Sequence, residues 1–247
     1  MQDQSPEDLS PADAAKDAAA RAAIALVEDG MRLGLGTGST AVFMVHRLAR
    51  RVQAEGLRLR CAATSRATCE LAESLGVRIE ELDAIGWLDL TIDGADEIDP
   101  DLNLIKGGGG AHLREKITAA ASDRMVVVAD PSKVVEQLGA FHLPVEVIPF
   151  GMEATRIHIQ RLLDSLDLSH RPMLLRQRDG QGFRTDEGNV ILDLSLDAIP
   201  DCEALADGLS AIPGVVEHGL FLGMCDLALI GSPDGSVIEM TAAQVAE

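Results

Sequence analysis

The chain has 247 residues, enough for one large domain or two small ones with a packed core. Its 40 acidic residues against 21 basic ones give a net charge of −19, which argues against nucleic acid and anionic membrane as partners, because both need a basic face. Aromatic residues make up 2% and Tyr is absent, so the core is expected to be built of Ala, Val, Leu and Ile, a palette that suits helices packed on a parallel sheet.

Met1–Pro11 is polar and acidic and reads as a loose tail. It has no basic segment followed by an apolar run, so no signal peptide is visible. No apolar stretch approaches the ~20 residues that span a bilayer. Ala12–Val27 is Ala-rich and reads as a helix. Met31–Leu35 reads as a short strand running into Gly34-Leu35-Gly36-Thr37-Gly38-Ser39-Thr40. Thr40–Ala54 has helical periodicity, with Val42, Val45, Leu48 and Val52 on one side. Leu57–Ala63 is the next strand, and Arg66–Leu75 a helix stopped by Gly76. Leu88–Ile92 is a buried strand that ends at Asp93-Gly94-Ala95-Asp96-Glu97-Ile98-Asp99. The run Lys106-Gly107-Gly108-Gly109-Gly110 then leads into a helix, His112–Ala121, and a fully buried strand, Met125–Ala129. Strands alternating with helices imply βαβ units and a parallel sheet.

After about residue 141 the order changes. Val145–Ile148 reads as a strand, Met152–Leu166 as an amphipathic helix, and Pro172–Gln177 and Asn189–Leu196 as strands. Cys202–Ile212 reads as a helix and Val215–Leu220 as a strand, which completes the ferredoxin-like order β-α-β-β-α-β. Cys225–Ile230 and Ser236–Met240 flank the turn Ser232-Pro233-Asp234-Gly235 and are expected to return to the first sheet. The predicted architecture is therefore α/β. A Rossmann-like parallel-sheet domain (residues 1–141 and 221–247) carries an inserted ferredoxin-like α+β domain (residues 142–220).

Three segments carry candidate chemistry. A strand, then glycines, then a helix start, as in Gly34–Thr40, is an anion-binding arrangement; Ser39 or Thr40 could equally be a helix cap. A Walker loop needs a Gly-Lys-Ser/Thr that is absent, and the dinucleotide fingerprint needs a Gly where Ser39 stands. Arg32 occupies the place where an adenosyl-binding loop usually has an acid. Phosphate binding without a nucleotide is the reading left. In the second segment, Asp93 and Asp96 lie nearest the strand end, where ligands bind in open α/β sheets. Asp99 and Glu97 read as turn residues, and the spacing does not fit an EF-hand. In the third, four consecutive glycines cost about 1 kcal/mol each in backbone entropy, so a backbone held close to a ligand explains them better than a linker. For Glu115, early in the following helix, sequence physics alone leaves stabilisation of the helix dipole slightly ahead of chemistry.

The four cysteines, Cys61, Cys69, Cys202 and Cys225, have no C-x-x-C spacing and read as free thiols in a reducing cytoplasm. The six histidines form no compact ligand pair, so a metal site is not expected. His112 could face a substrate or simply pack.

Gly36-Thr37-Gly38-Ser39-Thr40-Ala41, Asp93–Ile98, Lys106–Gly109 through Arg114-Glu115-Lys116-Ile117, Ala129-Asp130-Pro131-Ser132-Lys133 and Leu143–Pro149 together resemble ribose-5-phosphate isomerase type A, over about Lys16 to Asp234. The resemblance implies interconversion of ribose 5-phosphate and ribulose 5-phosphate with no metal or organic cofactor, by a homodimer or homotetramer. It implies that Glu115 moves a proton between C2 and C1, that Asp93 opens the ring, and that Asp96 and Lys106 hold and polarise substrate oxygens. Thr37, Gly38, Ser39, Thr40, Gly94, Ala95, Gly107, Gly108, Gly109 and Lys133 form the implied substrate shell, joined by Lys16. An ordinary glutamate is ionised at neutral pH and can accept a proton, and Lys106 can stabilise the enediolate that results. Lys16, Lys106 and Lys133 would supply a local positive patch on an acidic body. Gly110, Leu113 and Arg66 depart from the usual pattern. A sugar-phosphate sensor should carry a helix-turn-helix and a basic surface, and a CoA transferase a CoA site; neither is present.

Overall fold

The computed structural model describes residues 9–241. Residues 1–8, most of the expected tail, lie outside them. Ser10 already belongs to the first helix, α1 (Pro11–Ala25), whose Asp13 amide its side chain caps. Next come β1 (Arg32–Leu35), α2 (Ser39–Glu55), β2 (Arg60–Ala63), α3 (Arg66–Ser74) and the short α4 (Leu82–Ile85). β3 (Leu90–Gly94), β4 (Glu97–Ile98), β5 (Leu104–Ile105), α5 (His112–Ala120) and β6 (Met125–Ala129) follow.

A second group comprises β7 (Leu143–Val147), α6 (Met152–Ser165), β8 (Met173–Leu175), β9 (Gln177–Arg178) and β10 (Gln181–Gly182). It continues through β11 (Val190–Leu194), α7 (Cys202–Ser210), β12 (Val215–His218) and β13 (Leu220–Phe221). β14 (Leu227–Gly231) and β15 (Val237–Met240) complete the fold.

The larger sheet runs β15-β14-β6-β3-β1-β2, parallel except for the edge strand β15. β6 and β14 are buried at every position, as strands covered on both faces must be. The chain leaves β1 towards β2 and then returns to the other side of β1 as β3. This reversal opens a crevice beyond the carboxyl ends of β1 and β3, where a doubly wound sheet binds its ligand. The smaller sheet is antiparallel in the order β12-β7-β11-β8, with Leu143, Val145, Leu192 and Leu194 packed against Ile159, Leu163, Leu205 and Leu209 of α6 and α7. A small sheet, β13-β5-β4, adjoins them.

Three expectations shift. The strand expected at Leu88–Ile92 extends to Gly94, so Asp93 is itself a strand residue. The strand expected at Pro172–Gln177 is divided at Arg176, whose side chain turns into the protein. The strand expected at Val215–Leu220 has a register shift and breaks at Gly219, where an added Cβ would collide with the Lys106 carbonyl. The two-residue strands and α4 are too short to show a period.

Candidate active site

The glycines after β1 serve close approach as much as anion binding. A Cβ on Gly36 would lie 2.5 Å from Asp93 Cα on the neighbouring strand. The next amide, Thr37 N–H, donates to Asp93 Oδ1 at 3.0 Å. Thr37 Oγ1 is held by Thr64, Ser65 and Thr68 at 2.7–3.2 Å, which aims this turn at the crevice. Gly38, with φ 114°, is the residue before the first turn of α2 and makes no side-chain cap, so Ser39 and Thr40 lie within the helix and neither is its cap. The first amides of a 17-residue helix therefore face the cleft without a capping side chain, an arrangement suited to phosphate.

Below that turn lies a buried knot of three charges. Lys106 Nζ is 3.0 Å from Asp93 Oδ2 and 3.3 Å from Glu115 Oε2, and it donates to the Gly94 carbonyl. The side chains are 2%, 0% and 4% exposed. The Lys106 amide donates to Gly219 O at 2.9 Å, and the ammonium lies over the Phe221 ring, 5.4 Å from its centre. Two carboxylates share one ammonium, so the knot cannot hold both charges comfortably. Burial, reinforced by the Asp93 charge, pushes Glu115 up to about 8. Burial also raises Asp93, against the pull of Lys106 and of the Gly94 and Thr37 amides. The two carboxylates hold the Lys106 proton more firmly than usual despite its burial. Asp93 has two backbone donors, yet burial raises both carboxyls, so the pair beside the single ammonium holds a proton more firmly than two ordinary carboxylates would. The expectation that Glu115 is ionised at neutral pH like an ordinary glutamate is corrected accordingly.

The glycine run forms the opposite wall. Gly107 (φ 106°) packs on His112, whose Nδ1 would lie 2.7 Å from a Cβ there. His112 is fully buried and desolvation lowers its pKa to about 3, so it is a neutral packing residue and does not face the cleft. Gly108 N–H donates to Asp96 Oδ2 at 2.7 Å. Thr37, Gly38, Ser39, Thr40, Gly94, Ala95, Asp96, Lys106, Gly107, Gly108, Gly109, Glu115 and Lys133 all line the one cleft. Lys133 reaches it from the short 3-10 turn Pro131–Lys133 after β6.

Two candidates stand apart from that wall. Asp93 lies behind Lys106, fully enclosed. Lys16 is on α1 with its ammonium 3.5 Å from Asp13, outside the residues that line the cleft. With Lys106 held between two carboxylates, the positive lining comes from Lys133 and the start of α2. Asp99 accepts the Asp101 and Asn103 amides, the turn role read for it, whereas Glu97 is a buried residue of β4 that accepts the distant Gly139 and Phe141 amides, so its reading as a turn residue is corrected. The hydroxyl cluster of Thr64, Ser65 and Thr68 was not singled out from sequence, and the pattern Thr64-Ser65-x-x-Thr68 before a helix was its available signal. Arg66 points away from the cleft and bonds Asp186. Among the described residues no His, Cys, Asp or Glu group is arranged to hold a metal ion.

Residues 60–235 match the family model described as ribose 5-phosphate isomerase A (phosphoriboisomerase A). A ribose-5-phosphate isomerase A from Jannaschia sp. (strain CCS1) is 56% identical over 93% of this chain and 88% of its own length. Ribose 5-phosphate isomerase from Plasmodium falciparum superposes with a TM-score of 0.87 at 36% identity, covering 93% of this chain and 98% of the other. A D-ribose-5-phosphate isomerase in complex with phospho-erythronic acid superposes with a TM-score of 0.85 at 32% identity, covering 94% and 100%.

Proposed function

The chain belongs to the ribose 5-phosphate isomerase A family and interconverts ribose 5-phosphate and ribulose 5-phosphate, and we propose that Glu115 is the base that carries the proton between C2 and C1. In this reading Glu115 removes the C2 proton of the open-chain aldose. The electron pair forms the C1–C2 double bond and charge moves onto O1, beside the Lys106 ammonium. The hydroxyl proton on O2 passes to O1, with Asp96 and the glycine amides holding the two oxygens. Glu115 then returns its proton to C1, and no group outside the chain is needed to balance the step. The observation that carries this reading is the contact of Glu115 with Lys106 at the floor of the cleft, where burial gives the carboxyl a proton affinity matched to neutral or mildly basic pH.

Lys133 and the start of α2 are proposed to take the phosphate, since a helix start and a lysine on the same wall suit a dianion. Asp93 is proposed to hold Lys106 in place. Ring opening, the role that the resemblance implies for it, requires its enclosed Oδ2 to be uncovered when substrate binds. We further propose two domains, 1–141 with 221–247 and 142–220, each with its own sheet and core. Assembly into a homodimer or homotetramer is proposed as well, and exposed Phe150, Ile157 and Leu174 support it. No helix among the described residues is long and apolar enough to cross a membrane. The four free cysteines support a cytoplasmic setting.

The deciding experiment is Glu115→Gln, which keeps shape and loses basicity. Turnover is expected to fall about 10²–10⁴-fold with KM little changed. Near-normal turnover would remove Glu115 from this role.

A further inference from the structure

Arg176 lies between β8 and β9 and is 8% exposed at its side chain, well inside the protein. Its Nη1 donates to Gly107 O at 2.7 Å and Gly108 O at 3.3 Å. Nε donates to Asp193 Oδ2 at 2.9 Å, and Nη2 bonds Asp193 Oδ1 and approaches His142 Nε2 at 3.3 Å. Arg178 Nη2 reaches Gly109 O at 3.3 Å. Three successive carbonyls of the glycine run are thus turned towards guanidinium groups carried by the strands that follow α6.

In a planar trans peptide each N–H points opposite the preceding carbonyl. Gly108 N–H, opposite the Gly107 carbonyl, donates to Asp96 on the cleft wall. Gly109 N–H, opposite the Gly108 carbonyl, is turned away from Arg176 in the same manner. Glycines have the most backbone freedom of any residue, so a run of four cannot hold these peptide planes unaided. A planar fork fixed by a bidentate carboxylate can hold two carbonyls at once, which a lysine ammonium cannot do with the same geometry. Burying this cation carries a desolvation cost, and Asp193 offsets it.

We propose that Arg176 is a positioning residue for the isomerisation: gripped by Asp193, it sets the Gly107 and Gly108 carbonyls so that the glycine run presents its amides to Asp96 and the substrate. The inference rests on the reading that the cleft at Glu115 is where the sugar reacts.

The test uses the full chain and ribose 5-phosphate. For Arg176→Ala, kcat is expected to fall about ten- to hundred-fold while KM changes by less than about three-fold, because the phosphate is held on the other wall. Free guanidinium at millimolar, non-denaturing concentration should restore part of that kcat and leave the wild type unchanged. Arg176→Lys should remain impaired. If Arg176→Ala does not fold, Asp193→Asn decides, and it should lower kcat with KM little altered. A kcat within two-fold of wild type in the variant that folds, or an Arg176→Ala loss that guanidinium does not relieve, would overturn the proposal. Glu115→Gln run alongside separates the two readings. An active Glu115→Gln sinks the site assignment itself, whereas an inactive one beside a normal Arg176→Ala sinks this inference alone.

Discussion

At the scale of single residues, Glu115 decides most of the behaviour. As the proposed base it must be ionised to act, and burial raises its pKa to about 8, so kcat/KM should climb as pH rises through that value and level off above it. A pH–rate profile flat from pH 6 to 9 would contradict this. The same shift affects stability with a definite sign. Between the ordinary value of 4.5 and about 8, the folded chain keeps a proton that the unfolded chain has lost, so stability falls as pH rises across that window. Glu115→Gln removes the penalty. Its Tm should exceed that of the wild type at pH 8, by roughly 2–4 °C per kcal/mol recovered, with no gain near pH 4.5. Equal Tm values at both pH values would show that Glu115 is not strained by its burial. Lys133 is expected to have the opposite profile, as the proposed contact to the remote end of the substrate. Charge-assisted contacts contribute roughly 1.5–3 kcal/mol, so Lys133→Ala should raise KM for ribose 5-phosphate about ten-fold or more and hardly affect residual turnover of unphosphorylated ribose. Equal losses on both sugars would make Lys133 structural.

At the scale of elements, the two glycine segments work differently from each other and differently within themselves. Gly36 is where β1 meets Asp93 of β3, and the obstacle to a side chain there is strand backbone. Overpacking of this kind costs about 1–3 kcal/mol, so Gly36→Ala should lower Tm by several degrees and displace Asp93 together with Lys106. Gly109 is the contrast, because a Cβ there would meet Thr37 Cγ2 at an ordinary 3.7 Å. Gly109→Ala should keep the wild-type Tm and alter KM instead, which differential scanning calorimetry and steady-state kinetics would check together. A Tm for Gly36→Ala equal to that of Gly109→Ala would refute the distinction. The helices other than α4 and the strands in the two large sheets were legible because each has a period or a buried run. The strand break at Arg176 was not legible, because it depends on what that side chain reaches 69 residues away.

At the scale of the whole molecule, a chain of net charge −19 must attract a dianion to a small cleft. The long-range field repels the substrate, the local amides and Lys133 are proposed to attract it, and salt screens the first before the second. KM should therefore fall as ionic strength rises from about 0.01 to 0.15 M, while the screening length drops from about 30 to 8 Å. A KM that rises from the lowest salt onward would mean that the local positive field dominates at all distances. The fold serves the same end. The reversal of chain order at β1 and β3 puts the glycine turn before α2 and the carboxylates on one crevice, and the second sheet closes it from the side through the glycine run.

The motifs, the alternation of strands and helices, and the order β-α-β-β-α-β are local patterns, so the amino-acid sequence by itself determined the fold class and nearly every residue on the cleft wall. Proton affinities and side-chain reach are set by neighbours distant in sequence, and those only the tertiary structure decided. It raised Glu115 by burying it beside Asp93 and enclosed Asp93 behind Lys106. It left Lys16 with Asp13, away from the cleft lining, and brought Arg176 to the glycine carbonyls. Desolvation and Coulomb interactions depend on distance through space, and spacing along the chain does not report that distance.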